Sequence, residues 1–431
     1  MHIGMVLIKS RPYPPDVRVD KEIGSLCEAG HEVFVFARTM GTERPGREAL
    51  IPEKAWVDRY DLPKLGAIPR FRSDVTFRYP EWEGYLARFI TENRIDVLHV
   101  HNLLHIPLAL RVAEEFGLPL VADLHENQPA AFRVYRRDMP FLRRMGNALA
   151  KNDTLYRWME ARVLRRCKKI LVVVPEAAER LERIGIPCSD IVVVGNTEDE
   201  TTFPLSRTED RQHPAIRDGA SSWTVSYIGN LGPHRGIDTM LKAIPLLSDR
   251  IPGFRFLVVG ARGKGREQVL DQASRLGIRK EVEVLEWVPF EQVCGYILSS
   301  RVGIIPHNDF EHTQTTVPHK LFQIMLCQRP VLVSSCRPLR RIVEETGAGI
   351  VFRADDPRDL ADKLLWMHAH QSALKEMGIR GRKAALGPYA WKRDASRLTR
   401  VYQALDRGEG EGCPPKKRLR RRAASAMEKT T

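Results

Sequence analysis

No stretch of this 431-residue chain approaches the roughly 18 consecutive apolar residues that a membrane-spanning helix needs. The opening MHIGMVLIKSR has too short an apolar run for a secretory leader and reads as a first strand. Cysteine is scarce and unpatterned: the seven thiols, at 27, 167, 188, 294, 327, 336 and 413, are odd in number and nowhere spaced C-x-x-C. That excludes a disulfide framework and a cysteine-built zinc site, and it sets the expectation of a reducing cytoplasm. Repeats of solenoid length are absent. A dinucleotide fingerprint is missing as well, because GARGKG at 260–265 lacks the G-x-G-x-x-G spacing and falls late in its half of the chain. No two carboxylates stand out as a nucleophile and its partner acid.

At 43% hydrophobic and 28% charged residues the composition is that of a globular protein, and the length exceeds one ordinary core, so two domains are expected. The formal charge of +14 overstates how basic the body is. Lys416, Lys417, Arg418, Arg420, Arg421 and Arg422 crowd into one short tail behind Gly408, Gly410, Gly412 and Pro414-Pro415. That tail reads as disordered, and charge so placed does not call for a nucleic-acid partner.

Strand-like runs alternate with helical patterns throughout. HIGMVLI, a helix from Asp20 through Ala29, and HEVFVFA form a first βαβ unit; DVLHVH, LPLVADLH, KKILVVV and DIVVVGN continue the series. A polar, aperiodic stretch follows, and then WTVSYIG, RFLVVG, EVEVLEWV, VGIIPH, RPVLVSS and GIVF repeat the alternation. The expectation is an α/β protein of two Rossmann-like, doubly wound domains facing across a cleft, with ligands outside the carboxyl ends of the strands. The boundaries read as 1–200 for the first domain, 201–221 for a linker, 222–387 for the second domain, 388–405 for a helix crossing back, and 406–431 for the tail.

Local chemistry concentrates in the strand-to-helix loops. In TTVPHKLFQIMLCQRPVLVSS, Thr315 and Thr316 read as helix caps, Pro318 as a first-turn proline, and Lys320 with the free N–H groups as a phosphate site. Lys320 and Gln323, at i and i+3, are expected on one face. An αβ unit with a solvated lysine reads equally well from this segment alone. Gly229 to Gly236 is a glycine-bracketed loop with Arg235 at its end, and a guanidinium fork suits a diphosphate. His99 and His101 face one way along a strand, yet no third residue has ligand spacing, so no metal site is expected. Asp123 to Asn127 ends a buried strand with His125 in its loop. Arg18 lies between the first strand and the first helix, where it serves a phosphate or simply the surface. The stretch 132–169 mixes Arg and Lys with Phe132, Tyr135, Phe141, Tyr156 and Trp158, which suits either an anionic membrane surface or a solvated helix face.

In that order, IGNLGPHRGIDTMLKAI, VPHKLFQIMLCQRPVLVSS and ETGAGIVFRADDPRDLADKL resemble the nucleotide-binding half of the family 4 glycosyltransferases with the GT-B fold. PPDVRVDKEIGSLCEAGHEVFVF and DVLHVHNLLHIPLAL with GLPLVADLHEN resemble the acceptor half, and WKRDASRLTRVYQAL resembles the terminal helix. The resemblance implies a retaining transfer of a hexose-type sugar from a nucleotide-sugar co-substrate to a hydroxyl, without metal or other cofactor. It further implies that Arg235 and Lys320 hold the diphosphate and that Gly229, Asn230 and Gly232 shape the donor loop. Gln323, Thr315 and Thr316 would complete the donor side. Arg18 would replace the adjacent glycines of relatives, His125 would line the active site, and His101, Asn102 and Glu126 would serve the acceptor. Asn230 stands where the family often has Arg, and Thr315 and Gln323 where it tends to place two acids. The implied acceptor is a lipid-linked or cell-surface glycan intermediate of polysaccharide biosynthesis, met in the cytoplasm at the inner membrane face. A sugar-nucleotide epimerase, or a transferase acting on a soluble small molecule, shares the architecture.

Overall fold

A computed structural model of the protein describes residues 1–8, 12–63, 66–137, 139, 141–205 and 222–408. The chain divides into two compact units, Met1–Val194 joined by the segment from Asp394, and Gly195–Arg393. The division falls ahead of the expected 201–221 linker. Residues 206–221, and the tail from 409, lie outside the described residues.

The first unit holds eight strands: β1 (His2–Leu7), β2 (Glu32–Arg38), β3 (Gly46–Ile51), β4 (Ala55–Tyr60), β5 (Val97–His101), β6 (Leu120–Leu124), β7 (Lys169–Val172) and β8 (Ile191–Val193). Their order is β3-β4-β2-β1-β5-β6-β7-β8. All pairings are parallel except β3 with β4. The inner strands are apolar because helices cover the sheet, and each fully buried Val, Leu or Ile contributes about 1.5–3 kcal/mol.

β3 and β4 carry no run that the sequence reading recognised. GREALI is an exposed edge strand, and its Arg47 pairs with Asp58 of β4 at 2.6 and 2.7 Å, so polar pairing replaces the apolar alternation. The first helix, Val17–Glu28, also starts three residues before the expected Asp20. The cause is Asp16, whose carboxylate caps the N–H groups of Arg18 and Val19.

The second unit holds β9 (Trp223–Ile228), β10 (Phe254–Val259), β11 (Val282–Leu285), β12 (Val302–Ile305), β13 (Val331–Ser334) and β14 (Gly349–Phe352), in the order β11-β10-β9-β12-β13-β14. Every pairing is parallel. Both sheets therefore reverse their winding beside their first strand, between β1 and β5 and between β9 and β12. Loops leaving neighbouring strands on opposite faces open a crevice there. Among the described residues no helix is long and apolar enough to cross a membrane.

Candidate functional site

In the second unit the loop after β9 meets the loop after β12 at the switch point. Gly229 sits at φ 134°, and a Cβ on it would lie 2.5 Å from Lys320 Nζ. Gly236 sits at φ 67°, and a Cβ there would lie 1.6 Å from the Pro306 carbonyl oxygen. Only glycine lets the two loops close to this degree. Between these points lies Arg235, whose Nη1 donates to His307 Nε2 at 2.9 Å. Lys320 Nζ lies 4.0 Å from the centroid of the Tyr227 ring, and the Tyr227 hydroxyl donates to the Asn230 carbonyl at 2.6 Å.

Lys320 Nζ and Arg235 Nε are buried without hydrogen-bond partners. Burial, and then the charge of Arg235, hold the Lys320 ammonium well below the ordinary lysine range. Burial, again seconded by Arg235, pushes His307 well down and His234 down to about 2, so both imidazoles stay neutral beside the cations. Among the described residues neither cation forms an ion pair with a carboxylate, which leaves a positive recess.

The rest of the expected donor side is arranged differently. Thr315 and Thr316 do not cap the helix Lys320–Leu326. Thr315 closes a 3₁₀ turn, Thr313–Thr315, by donating from Oγ1 to the carbonyls of Glu311 and His312, and Thr316 is extended. Pro318 precedes the helix. Gln323 does not point with Lys320: its Nε2 donates to Glu198 Oε2 at 2.7 Å, both side chains being buried. Glu198 went unrecognised in the polar stretch after β8. Neighbouring Asn196, which donates to the Val317 carbonyl at 3.0 Å, pins that stretch to the Lys320 segment. The NTE tripeptide shortly after the half-buried β8 was the available signal.

Gln323→Glu would set two carboxylates at this buried contact. The like charges raise the pKa of the pair in the folded state, so the variant's stability is whole below the ordinary carboxylate range and lost as pH rises. Thermal melts at pH 5 and pH 8 should show the variant's deficit against wild type growing with pH. A constant deficit would mean that the pair does not titrate.

The first unit gathers its polar groups at the matching switch point. Register places His101 of β5 beside Asp123 of β6. Asp123 accepts from Arg18 Nε at 3.0 Å and Nη2 at 2.8 Å, and it lies 2.7 Å from His125 Nε2 and 3.1 Å from His101 Nδ1. Burial works to raise the Asp123 pKa, but Arg18, His125 and His101 outweigh it and hold the carboxyl well below its usual range.

Arg18 therefore does not face a donor phosphate. It is 2% exposed, and Nη1 donates to the Val194 carbonyl at 3.0 Å. His101 is fully buried and cannot touch an acceptor. His125, 21% exposed at its side chain, is the member that reaches the surface. Asn102 follows β5 at φ 70°, its N–H bound to the Asp123 carbonyl at 2.9 Å, and Glu126 accepts from the Tyr135 hydroxyl at 3.1 Å. Glu22, from the first helix and beyond any spacing rule, also comes close to His99 and His101, its Oε2 lying 3.7 and 4.0 Å from their Nε2 atoms.

Of the aromatics between 132 and 169, Phe132 and Tyr156 are core residues in edge contact at 5.0 Å, whereas Trp158 is exposed. Arg133, Arg136, Arg137 and Arg144 line a cavity of about 490 Å³ with Asn152 and Asp153.

The family model "Glycosyl transferase 4-like domain" matches residues 16–197, and "Glycosyl transferases group 1" matches residues 222–370. The D-inositol 3-phosphate glycosyltransferase of Streptosporangium roseum is 23% identical, over 88% of this chain and 85% of that one. The phosphatidyl-myo-inositol mannosyltransferase of Mycolicibacterium smegmatis is 24% identical, over 94% of each chain. Among solved structures, sucrose-phosphate synthase from Thermosynechococcus elongatus superposes with a TM-score of 0.75 at 17% identity, over 95% of this chain and all of that one. Anabaena HepE in complex with UDP-glucose does so with 0.70 at 12%, over 94% of this chain and all of that one. Both halves of the chain being matched, it belongs to the family 4 glycosyltransferases and is a transferase of the GT-B fold.

Proposed function

We propose that the protein moves a sugar from a nucleotide-sugar donor to a hydroxyl of an inositol phosphate or phosphatidylinositol-type acceptor, with retention at the anomeric carbon. The observation that carries this reading is the buried, unneutralised pair Arg235 and Lys320 beside the Gly229–Gly236 loop. A departing diphosphate supplies the missing negative charge, and it does so most fully in an oxocarbenium-like transition state. Because the charge donors are already fixed in place, little reorganisation is needed at the moment of cleavage. The leaving phosphate then accepts the proton of the incoming hydroxyl. On the first unit, His125 presents an imidazole at the surface, its orientation fixed by Asp123.

The inositol acceptor is supported by the named substrates of the two relatives. Four arginines around one cavity, with Trp158 and Met145 exposed on the same run of helices, suit a peripheral enzyme meeting its acceptor at an anionic surface.

The test is a donor panel of UDP- and GDP-sugars against phosphatidylinositol vesicles, soluble inositol 3-phosphate and no acceptor. Product with an α-linked sugar from an α-donor is expected only with an inositol acceptor. Salt should suppress the vesicle reaction selectively. Conversion of the donor into an isomeric nucleotide sugar without acceptor, or an inverted product, would overturn the proposal.

A further inference from the structure

One group of buried side chains in the first unit is left unused by sugar transfer. His99, His101 and Glu22 are fully buried, and His99 Nε2, His101 Nε2 and both Glu22 carboxylate oxygens lack hydrogen-bond partners. These atoms point at one another. Glu22 Oε2 is 3.7 Å from His99 Nε2 and 4.0 Å from His101 Nε2, too long for hydrogen bonds. An ion bound at about 2.0–2.2 Å by each ligand in tetrahedral geometry separates neighbouring ligand atoms by about 3.4 Å. Closing the observed gaps therefore takes a shift of a few tenths of an ångström.

The other nitrogen of each ring is already engaged. His101 Nδ1 lies 3.1 Å from Asp123 Oδ2, and an ionised carboxylate can only accept, so the proton sits on Nδ1 and the lone pair on Nε2. His99 Nδ1 lies 2.6 Å from the Tyr402 hydroxyl, which can accept its proton and leave Nε2 free in the same way. Outer partners of this type are what orient and tune metal-binding histidines. The two rings stack at 4.5 Å on one face of β5, closer than the ~6.6 Å between alternate residues of a strand. The third ligand comes from the first helix, 77 positions away from the nearer histidine, out of reach of a spacing rule.

We infer that Glu22, His99 and His101 form a buried three-residue site for one divalent transition-metal ion, zinc by its ligand set, with Asp123 and Tyr402 fixing the imidazoles. Asp123 is saturated by Arg18, His101 and His125 and is a positioning residue here. Arg18 Nε stands 3.0 Å from Glu22 Oε1, leaving Oε2 toward the histidines. Such an ion joins the first helix, β5 and the terminal helix beneath His125, independently of the donor recess.

The full chain, carrying a tag without histidine, would be produced in zinc-supplemented medium and its metal content measured after gel filtration. About one zinc per chain is expected, and Glu22→Gln and His101→Gln should each lower retention at least ~10-fold. Growth on cobalt gives a readout that needs no variant: visible d–d bands of a tetrahedral nitrogen–oxygen site without a thiolate charge-transfer band. A wild-type chain that retains neither zinc, manganese, iron nor cobalt overturns the inference. So does a thiolate band, which would put the metal on cysteine, or undiminished zinc in variants whose circular dichroism matches wild type.

Discussion

Lys320→Met is expected to lower turnover by about a hundredfold or more while raising the melting temperature, and Arg235→Ala to lower turnover on the same scale. Each change removes a cation from the recess, and charge on the leaving diphosphate peaks in the transition state, so the loss should appear in kcat more than in KM. The opposite sign in stability follows from burial. Lys320 is held well below the ordinary lysine pKa by desolvation and then by Arg235. A base depressed in the folded state weakens folding as pH falls below its unfolded value and recovers as pH rises toward that value. The methionine variant should thus gain most over wild type at neutral and lower pH, with the gain shrinking toward pH 10.5. Near-normal turnover, or a melting temperature that falls, would show that Lys320 serves packing against Tyr227 and not the donor.

Asp123→Ala should cost about 3–5 kcal/mol, the scale for breaking a buried ion pair from one side. Arg18 would remain buried, with Glu22 beside it and the weaker field of Asp394. Burial, with Arg18 opposing, pushes Glu22 up to about 8, so it is a poor replacement below that pH. Asp123 itself is depressed in the folded state, which makes its contribution whole above the ordinary carboxylate value of 3.8 and lost as pH falls below it. Urea titrations at pH 7 should show a lower midpoint at an unchanged slope, and the gap from wild type should narrow only in acid. The paired change Arg18→Met with Asp123→Leu should cost less than Asp123→Ala, since no buried charge is stranded. A single-variant loss below about 1 kcal/mol would mean that water reaches the cluster.

The layout of the chain was open to reading because buried parallel strands announce themselves as unbroken apolar runs. GIVF coincides with β14, and the other expected strands lie within three residues of the observed ones. β3 and β4 escaped for the converse reason: β3 is an exposed edge strand, and β4, lying between it and β2, is tied to it by Arg47 and Asp58. Arg235 and Lys320 were legible as loop-to-helix residues of the second sheet. The partners of Arg18 and Gln323 were not. Asp123 is 105 positions from Arg18, and Glu198 is 125 positions from Gln323, so no local spacing rule connects them. The i, i+3 argument for Lys320 and Gln323 fixed only their separation on the helix. Tyr227 and Glu198, on other elements, decided where each side chain went.

The membership of the terminal helix imposes an order on assembly. From Asp394 onward it belongs to the first unit, with Tyr402 fully enclosed there against His99. The ribosome therefore finishes every strand of the first sheet, and then the whole second unit, before it releases the residue that closes the first. Until then the region around His99 lacks the tyrosine that caps it, while residues 195–393 form one uninterrupted stretch. Domains generally fold as units while they emerge. In this protein the half made first is the half completed last.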